Sequence, residues 1–333
     1  MTRAAPALAL LLGLLLLAAG LRLDGFGRAY LAAAAAWTSV SLGALTLVAA
    51  NTLMGGHWAV PAARALVPAM KTIPLAGLLF VPLLLAPDAA WPWAQDGWTA
   101  DGPGKALWFD PALVAARTTA YFLAWTALAW WLPPPGPLPR RLPRAVTALA
   151  AQFLLGSLAG VDWLLSLDPR FNSSIFGLLF LSNQVTGAMA LAILARDTKP
   201  VGKLGAILLA AVIAWGYFAA MQYLVAWTAN LPHEAAWFLR RLDGGWRAVA
   251  WAVIALHVVL PVLGLMWRGI RLDRRRLRAM AAMVFTGFLL DTAWVARPEA
   301  RPAAILLAYA GVGLVWAAGF AVIRARMPPH PPT

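Results

Sequence analysis

The sequence predicts an all-α polytopic membrane protein of about ten transmembrane helices, and three observations carry that prediction. Of 333 residues, 62% are apolar and only 12% are charged, about half the charged share of a soluble domain, and the mean hydropathy is +0.73. The apolar residues fall in repeated runs of about 20, the length a helix needs to cross a bilayer. The basic residues behind the net charge of +14 sit in short segments between those runs, as the positive-inside rule requires. A nucleic-acid groove would need basic residues interleaved with aromatics, and no such stretch is present.

Spans are expected at 5–21, 29–53, 69–87, 111–132, 144–166, 172–195, 203–229, 247–267, 277–296 and 302–323. The first follows Arg3 and is Leu-rich. The same stretch, MTRAAPALALLLGLLLLAAG, also has the basic start, short apolar core and small residues of a signal peptide, and both readings stay open. The fourth span contains Arg117. Asp168-Pro169 closes the fifth, because proline disfavours a helical residue before it, and Asn172, Ser173 and Ser174 suit N-capping of the sixth. Leu231-Pro232 ends the seventh. The ninth begins in a cluster of arginines and ends at Asp291 and Arg297.

Counting charges orients the chain. The side on which odd-numbered spans begin holds 17 basic residues against two acids, Asp197 and Asp273, whereas the other holds nine against eleven. Both termini are therefore expected in the cytoplasm. The proline-rich loop 133–144 is expected to be extended, and the tail 327–333 disordered. The Trp-rich loop 86–111 is expected to belong to the interfacial aromatic belt.

Cysteine is absent and histidine numbers four. The chain thus holds no iron–sulfur cluster, covalent c-type haem or disulfide of its own, and His257 alone lies within a span. No metal site is expected.

Ionisable groups inside a bilayer cost about 2.5–3.5 kcal/mol each on insertion scales and persist when paired, hydrated or functional. Asp162 falls in the last turn of the fifth span, with Ser166 one turn later on the same face. It is read either as the ion-pair partner of Arg117 or as a proton or ligand group. Asp168 and Asn172 read as helix caps and turn formers. Gln222, Ala226 and Asn230 repeat at four-residue spacing, with Tyr223 and Trp227 on the adjacent face and Glu234 just beyond. That surface suits a quinone headgroup, a water chain or interhelical hydrogen bonds. His257, four residues before Pro261, reads as a satisfied structural histidine beside a freed carbonyl, or as a proton-path residue. Asp291 is expected to pair with Arg297, and Asn183, Gln184 and Thr186 to join helices. Asp162, Arg117, Glu234, Asp291 and His257 are the candidate proton path.

Five stretches, RTTAYFLAW, DWLLSLDPRFNSSIFGLLFLSNQ, MQYLVAWTANLPHE, HVVLPVLGL and DTAWVARP, resemble blocks of an alternative complex III membrane subunit. The family is the quinol:cytochrome c oxidoreductase quinone-binding subunit 2, within the NrfD/polysulfide-reductase membrane-subunit superfamily. The blocks follow the family order over residues 117–298. The resemblance implies two four-helix bundles, 29–168 and 169–298, flanked by the first and last spans. It also implies a bacterial inner-membrane respiratory complex. Its partners would be a sister NrfD-like membrane subunit, an iron–sulfur/molybdopterin-like subunit and a multihaem c-type cytochrome, which would carry the haem and iron–sulfur centres; quinone is the one ligand this chain could contact. The family's His-Trp-Phe after Asp-Pro is here Arg170, Phe171 and Asn172, and a glutamate near the third span is absent. Both departures remove titratable groups from a family-like proton path, chiefly in its cytoplasmic half. A small-molecule transporter and a purely structural anchor are the alternative readings.

Overall fold

The computed structural model describes residues 4–54, 58, 62–133, 142–195 and 202–327. The expectations for 134–141 of the proline-rich loop and 328–333 of the tail lie outside the described residues, as does His57. Among the described residues the regular structure is helical throughout, because a bilayer leaves backbone polar groups no partner but their own helix. Nine helical spans are long and apolar enough to cross a membrane. The protein is an all-α polytopic membrane protein.

α1 (Ala4–Gly20) is apolar but only 17 residues long, short of a typical span. α2 (Phe26–Met54) is the central helix: its alanine run Ala32–Ala36 is buried on every side. α3 (Ala63–Met70) and α4 (Ile73–Leu85) form one span interrupted at Lys71-Thr72. The Trp-rich connection then makes two 3-10 turns, Pro87–Ala89 and Pro92–Ala94, and a short α5 (Pro103–Trp108). α6 (Pro111–Trp131) starts with proline at its first position and Asp110 as N-cap, whose carboxylate accepts from Leu113 N at 3.0 Å. α7 (Leu142–Trp163) runs into a 3-10 turn, Leu165–Leu167. α8 (Phe176–Leu194) and α9 (Gly202–Ala229) follow.

α9 stops at Asn230, whose φ of 48° is left-handed, and Pro232 opens α10 (Pro232–Arg241). The next span is α11 (Trp246–Val253), a π-helical segment Ile254–Val259 and α12 (Leu260–Met266). Pro261 explains the π turn. Its ring excludes the carbonyl four residues back, that of His257, from ordinary α-helical bonding. After α13 (Arg268–Leu272), Asp273 caps α14 (Arg274–Ala296) by accepting from Arg276 N at 2.7 Å. α14 ends at Arg297, also left-handed with φ 41°, and α15 (Pro302–Ala325) closes the chain's helical part.

α2 packs on α3, α4 and α7; α4 packs on α6, and α6 on α7, closing one ring of spans. A second ring runs α8, α9, α12 with its π segment, and α14, which returns to α8. α2 against α8 joins them, and Gly43 sets how closely: a Cβ there would lie 1.9 Å from the Gln184 carbonyl oxygen. α1 and α15 pair across Gly13 and Gly311, the small-residue contact typical of membrane helices.

The connections on one side are long and tied together. Lys105 Nζ donates to Pro169 O at 2.8 Å, Arg240 pairs with Asp168, and Arg28 lies 3.9 Å from Glu299. This is the loop-rich face. The opposite, arginine-rich face carries Lys203, Arg271, Arg274, Arg275, Arg276 and Arg278.

Two expectations change here. Trp91 and Trp93 are buried, not part of an interfacial belt: they stack on one another at 5.5 Å, and Trp91 Nε1 donates to Trp163 O at 3.1 Å. The 86–110 connection folds inward because both indoles gain burial and ring stacking and Trp91 also gains a hydrogen-bond partner. Nor is Asn172 a cap. α8 begins at Phe176, after Ile175, with no side-chain cap hydrogen bond, because residues 168–175 cross the face before the helix can start.

Candidate functional site

Two buried carboxylates, one in each ring of spans, have opposite surroundings. Asp162, at the end of α7, is fully buried. Arg117 reaches it from α6 with Nε to Oδ2 at 3.1 Å and Nη2 to Oδ1 at 3.1 Å, the two-pronged arrangement that matches guanidinium to carboxylate. Trp108 Nε1 donates to Oδ1 at 3.0 Å and the Tyr121 hydroxyl to Oδ2 at 2.9 Å. Each oxygen therefore accepts two donors. Arg117 also donates to Trp108 O at 2.7 Å and lies over that indole, 4.3 Å from the ring centre, a cation–π contact worth about 0.5–2 kcal/mol.

Local sequence explains the convergence. Tyr121 is one turn beyond Arg117 on α6 and shares its face. Thr118, on the same side, accepts from Trp163 Nε1 at 3.2 Å, which holds α7 in register. Ser166 donates to Asp162 O at 2.6 Å. The expected Arg117–Asp162 pair is thus present, within a larger set that the sequence reading omitted: Trp108 and Tyr121. A tyrosine four residues from an arginine within a span was a usable signal; for Trp108, in a short helix of a connecting segment, none existed. Four donors on one carboxylate fill its acceptor sites and leave no oxygen open to a fifth partner.

Asp291 on α14 is also buried, yet forms no ion pair among the described residues and has only the Trp215 indole as a hydrogen-bonding neighbour. The expected pairing with Arg297 is corrected: Arg297 turns away in its left-handed conformation and reaches Glu299 at 3.3 Å. Asp291 instead borders a cavity of about 10 Å³ together with Asn183, room for about one water. Asn183 Oδ1 and Trp215 Nε1 are buried without a partner, and the Trp215 indole is the side chain closest to hydrogen-bonding Asp291. Trp215 stacks on His257 with ring centres 4.3 Å apart.

His257 departs from its reading as a satisfied structural residue. The carbonyl freed by Pro261 is its own, and its ring points into the bundle, where neither nitrogen finds a partner. Gly287, one turn before Asp291, brings its backbone against His257, where a Cβ would lie 2.7 Å from the histidine Cβ.

The remaining candidates do not converge. Gln222 is buried and accepts from Ser173 Oγ at 3.2 Å, whereas Tyr223 and Trp227 are 53% and 66% exposed on the outside of α9. Asn230 is exposed and terminates the helix. Glu234 lies half-buried in the first turn of α10. Asp168 is the C-cap residue of the Leu165–Leu167 turn and opens the next turn, its carbonyl accepting from Phe171 N at 2.9 Å, while its carboxylate takes Arg240. Among the interhelical candidates, Gln184 accepts from Gln152 of α7 at 2.8 Å, but Thr186 bonds back to Ser182 O in its own helix. An apolar cleft of about 350 Å³ opens between α2, α7, α8 and α9, away from both carboxylates.

Arg241 anchors the loop-rich side above Asp291. It donates through Nε and Nη2 to Val295 O at 3.1 and 2.7 Å and lies 3.7 Å from the Trp237 ring centre. Burial pushes its guanidinium down to about 9, which still leaves it charged at neutral pH. Among the described residues no cluster of side chains could hold a metal ion. No protein-family model matches the chain, and no curated protein matches it.

Proposed function

We propose that the chain is the membrane subunit of a bacterial quinol-oxidising respiratory complex of the alternative complex III type. In this reading it sits in the inner membrane with both termini cytoplasmic, anchors redox partner subunits on its loop-rich face and handles protons within the bilayer. The sister NrfD-like subunit, the iron–sulfur subunit and the multihaem cytochrome bring the redox centres; this chain contributes no electron carrier.

One observation carries the reading. The five stretches that resemble the family lie far apart in sequence and hold many of the polar groups set within the bundle. Arg117 and Tyr121 come from one, Asp162 and Asn183 from the next, Gln222, His257 and Asp291 from the other three. Apolar membrane helices do not need such groups to pack, so their concentration in these stretches favours a role beyond anchoring. The quinone-contact surface suggested by Tyr223 and Trp227 loses support, because both face outward from the helix bundle. A quinol contact in this complex is accordingly assigned to a subunit interface and not to a pocket of this chain alone.

A transporter reading would draw on the two interrupted spans, at Lys71-Thr72 and at 254–259. They occupy different positions in their rings, the second span of one and the third of the other, whereas repeat-built transporters break corresponding helices. The test is purification of the tagged chain from its native membrane in mild detergent. The proposal expects haem- and iron–sulfur-containing partners and quinol-dependent reduction of a cytochrome or equivalent acceptor. A chain that purifies alone and catalyses solute uptake in liposomes would overturn it.

A further inference from the structure

The buried polar groups of the second ring lie at two depths. Asp291 is five residues from the loop-rich end of α14, about 7.5 Å at helical rise. His257 lies near the middle of its span, nine residues, or about 13.5 Å, from the arginine-rich end at Met266. Trp215 bridges them, its ring on His257 and its N–H toward Asp291. From α15, the buried Tyr309 hydroxyl approaches Asp291 and has no partner.

The two directions from this cluster differ. Toward the loop-rich face, the cavity beside Asp291 and Asn183 reaches Val295, whose carbonyl holds Arg241. Toward the arginine-rich face, residues 204–214 of α9, 260–266 of α12, 279–290 of α14 and 185–194 of α8 contain no titratable side chain. The groups facing Asp291 are therefore Trp215 of α9, Asn183 of α8 and Tyr309 of α15, with His257 of the π segment behind Trp215. No charged side chain joins them.

We propose that Asp291, Asn183, Trp215 and His257 form a proton well that opens to the loop-rich face and is closed toward the arginine-rich face. Water enters beside Asp291; the carboxylate takes a proton from hydronium, giving a carboxylic acid and water, and returns it to the same side. The π turn serves this arrangement by pressing the His257 backbone against Gly287 and its ring onto Trp215. Asp162, with both oxygens occupied, takes no part. The inference deepens the proton role proposed above, but it requires no redox partner, so its test can fail while the respiratory assignment stands.

The experiment is infrared difference spectroscopy on the purified full-length chain, oriented in sealed vesicles, with pH changed on one side at a time. The well predicts a carboxylic-acid C=O band that follows pH on the loop-rich side only. That band should vanish in Asp291→Asn and return, displaced in frequency, in Asp291→Glu. A band following pH on the arginine-rich side, or persisting in Asp291→Asn, would overturn the proposal. If Asp291→Asn fails to fold, the frequency displacement in Asp291→Glu decides the matter, because the exposed carboxylates of the loop-rich face keep their bands unchanged; an undisplaced band would overturn the proposal.

Discussion

A buried carboxylate in a membrane protein is defined by what its oxygens accept. Asp162 has four donors, whereas Asp291 has no charged partner among the described residues and only the Trp215 indole beside it. Truncating one side of a buried pair leaves an uncompensated charge, at a cost of about 3–5 kcal/mol. Arg117→Met should therefore destabilise the protein by that amount in reversible unfolding from detergent, whereas Arg117→Met with Asp162→Leu should cost less than Arg117→Met alone. Equal or additive losses would show that the pair is not coupled. Tyr121→Phe should cost about 1.5–3 kcal/mol, the value of a hydrogen bond to a charged group, by the same unfolding measurement. The pairing of Arg117 with Asp162 was legible because an arginine within a span must find a partner at its own depth. The Asp291–Arg297 expectation used the same rule and failed, because neighbours in sequence separate when a left-handed residue ends the helix.

At the level of elements, apolar run length identified nine of the ten expected spans to within six residues at either end, since the bilayer fixes that length, whereas the expected 5–21 span forms a helix of 17 residues, shorter than those nine. The interruptions were less legible. The break at Lys71-Thr72 and the π turn before Pro261 are local departures inside otherwise continuous apolar runs, and α5 and α10 are short helices inside connections read as loops. Helix approach was not legible either, because a glycine's packing partner comes from another part of the chain. Gly43→Ala should sharply reduce the yield of folded protein, since its Cβ would strike the Gln184 backbone. Gly104→Ala, with open space around it, should behave as the unsubstituted protein in size-exclusion chromatography. At the end of α9, Asn230→Gly should be tolerated and Asn230→Val should cost about 1–2 kcal/mol, because a β-branched residue resists the left-handed conformation.

For the whole molecule, the faces differ in chemistry as well as shape: long, knotted-together connections on one side, arginines on the other. The absence of cysteine makes the orientation directly measurable. A single Asp101→Cys should react with a membrane-impermeant maleimide from outside intact cells, and Arg275→Cys only after the membrane is opened; the reverse pattern would invert the topology. Composition and charge made the membrane architecture readable from the start. The division between a saturated and an unpaired carboxylate was not readable, because it depends on which side chains from distant spans meet.

The most direct test of the respiratory assignment is site-specific photo-crosslinking in native membranes, with the probe at Trp98 or Leu239 on the loop-rich face and at Arg275 on the opposite one. The account predicts that the loop-rich probes capture haem-staining partner subunits and that the Arg275 probe does not. Capture of haem-staining partners from Arg275 alone, or of none from either loop-rich position, would contradict it.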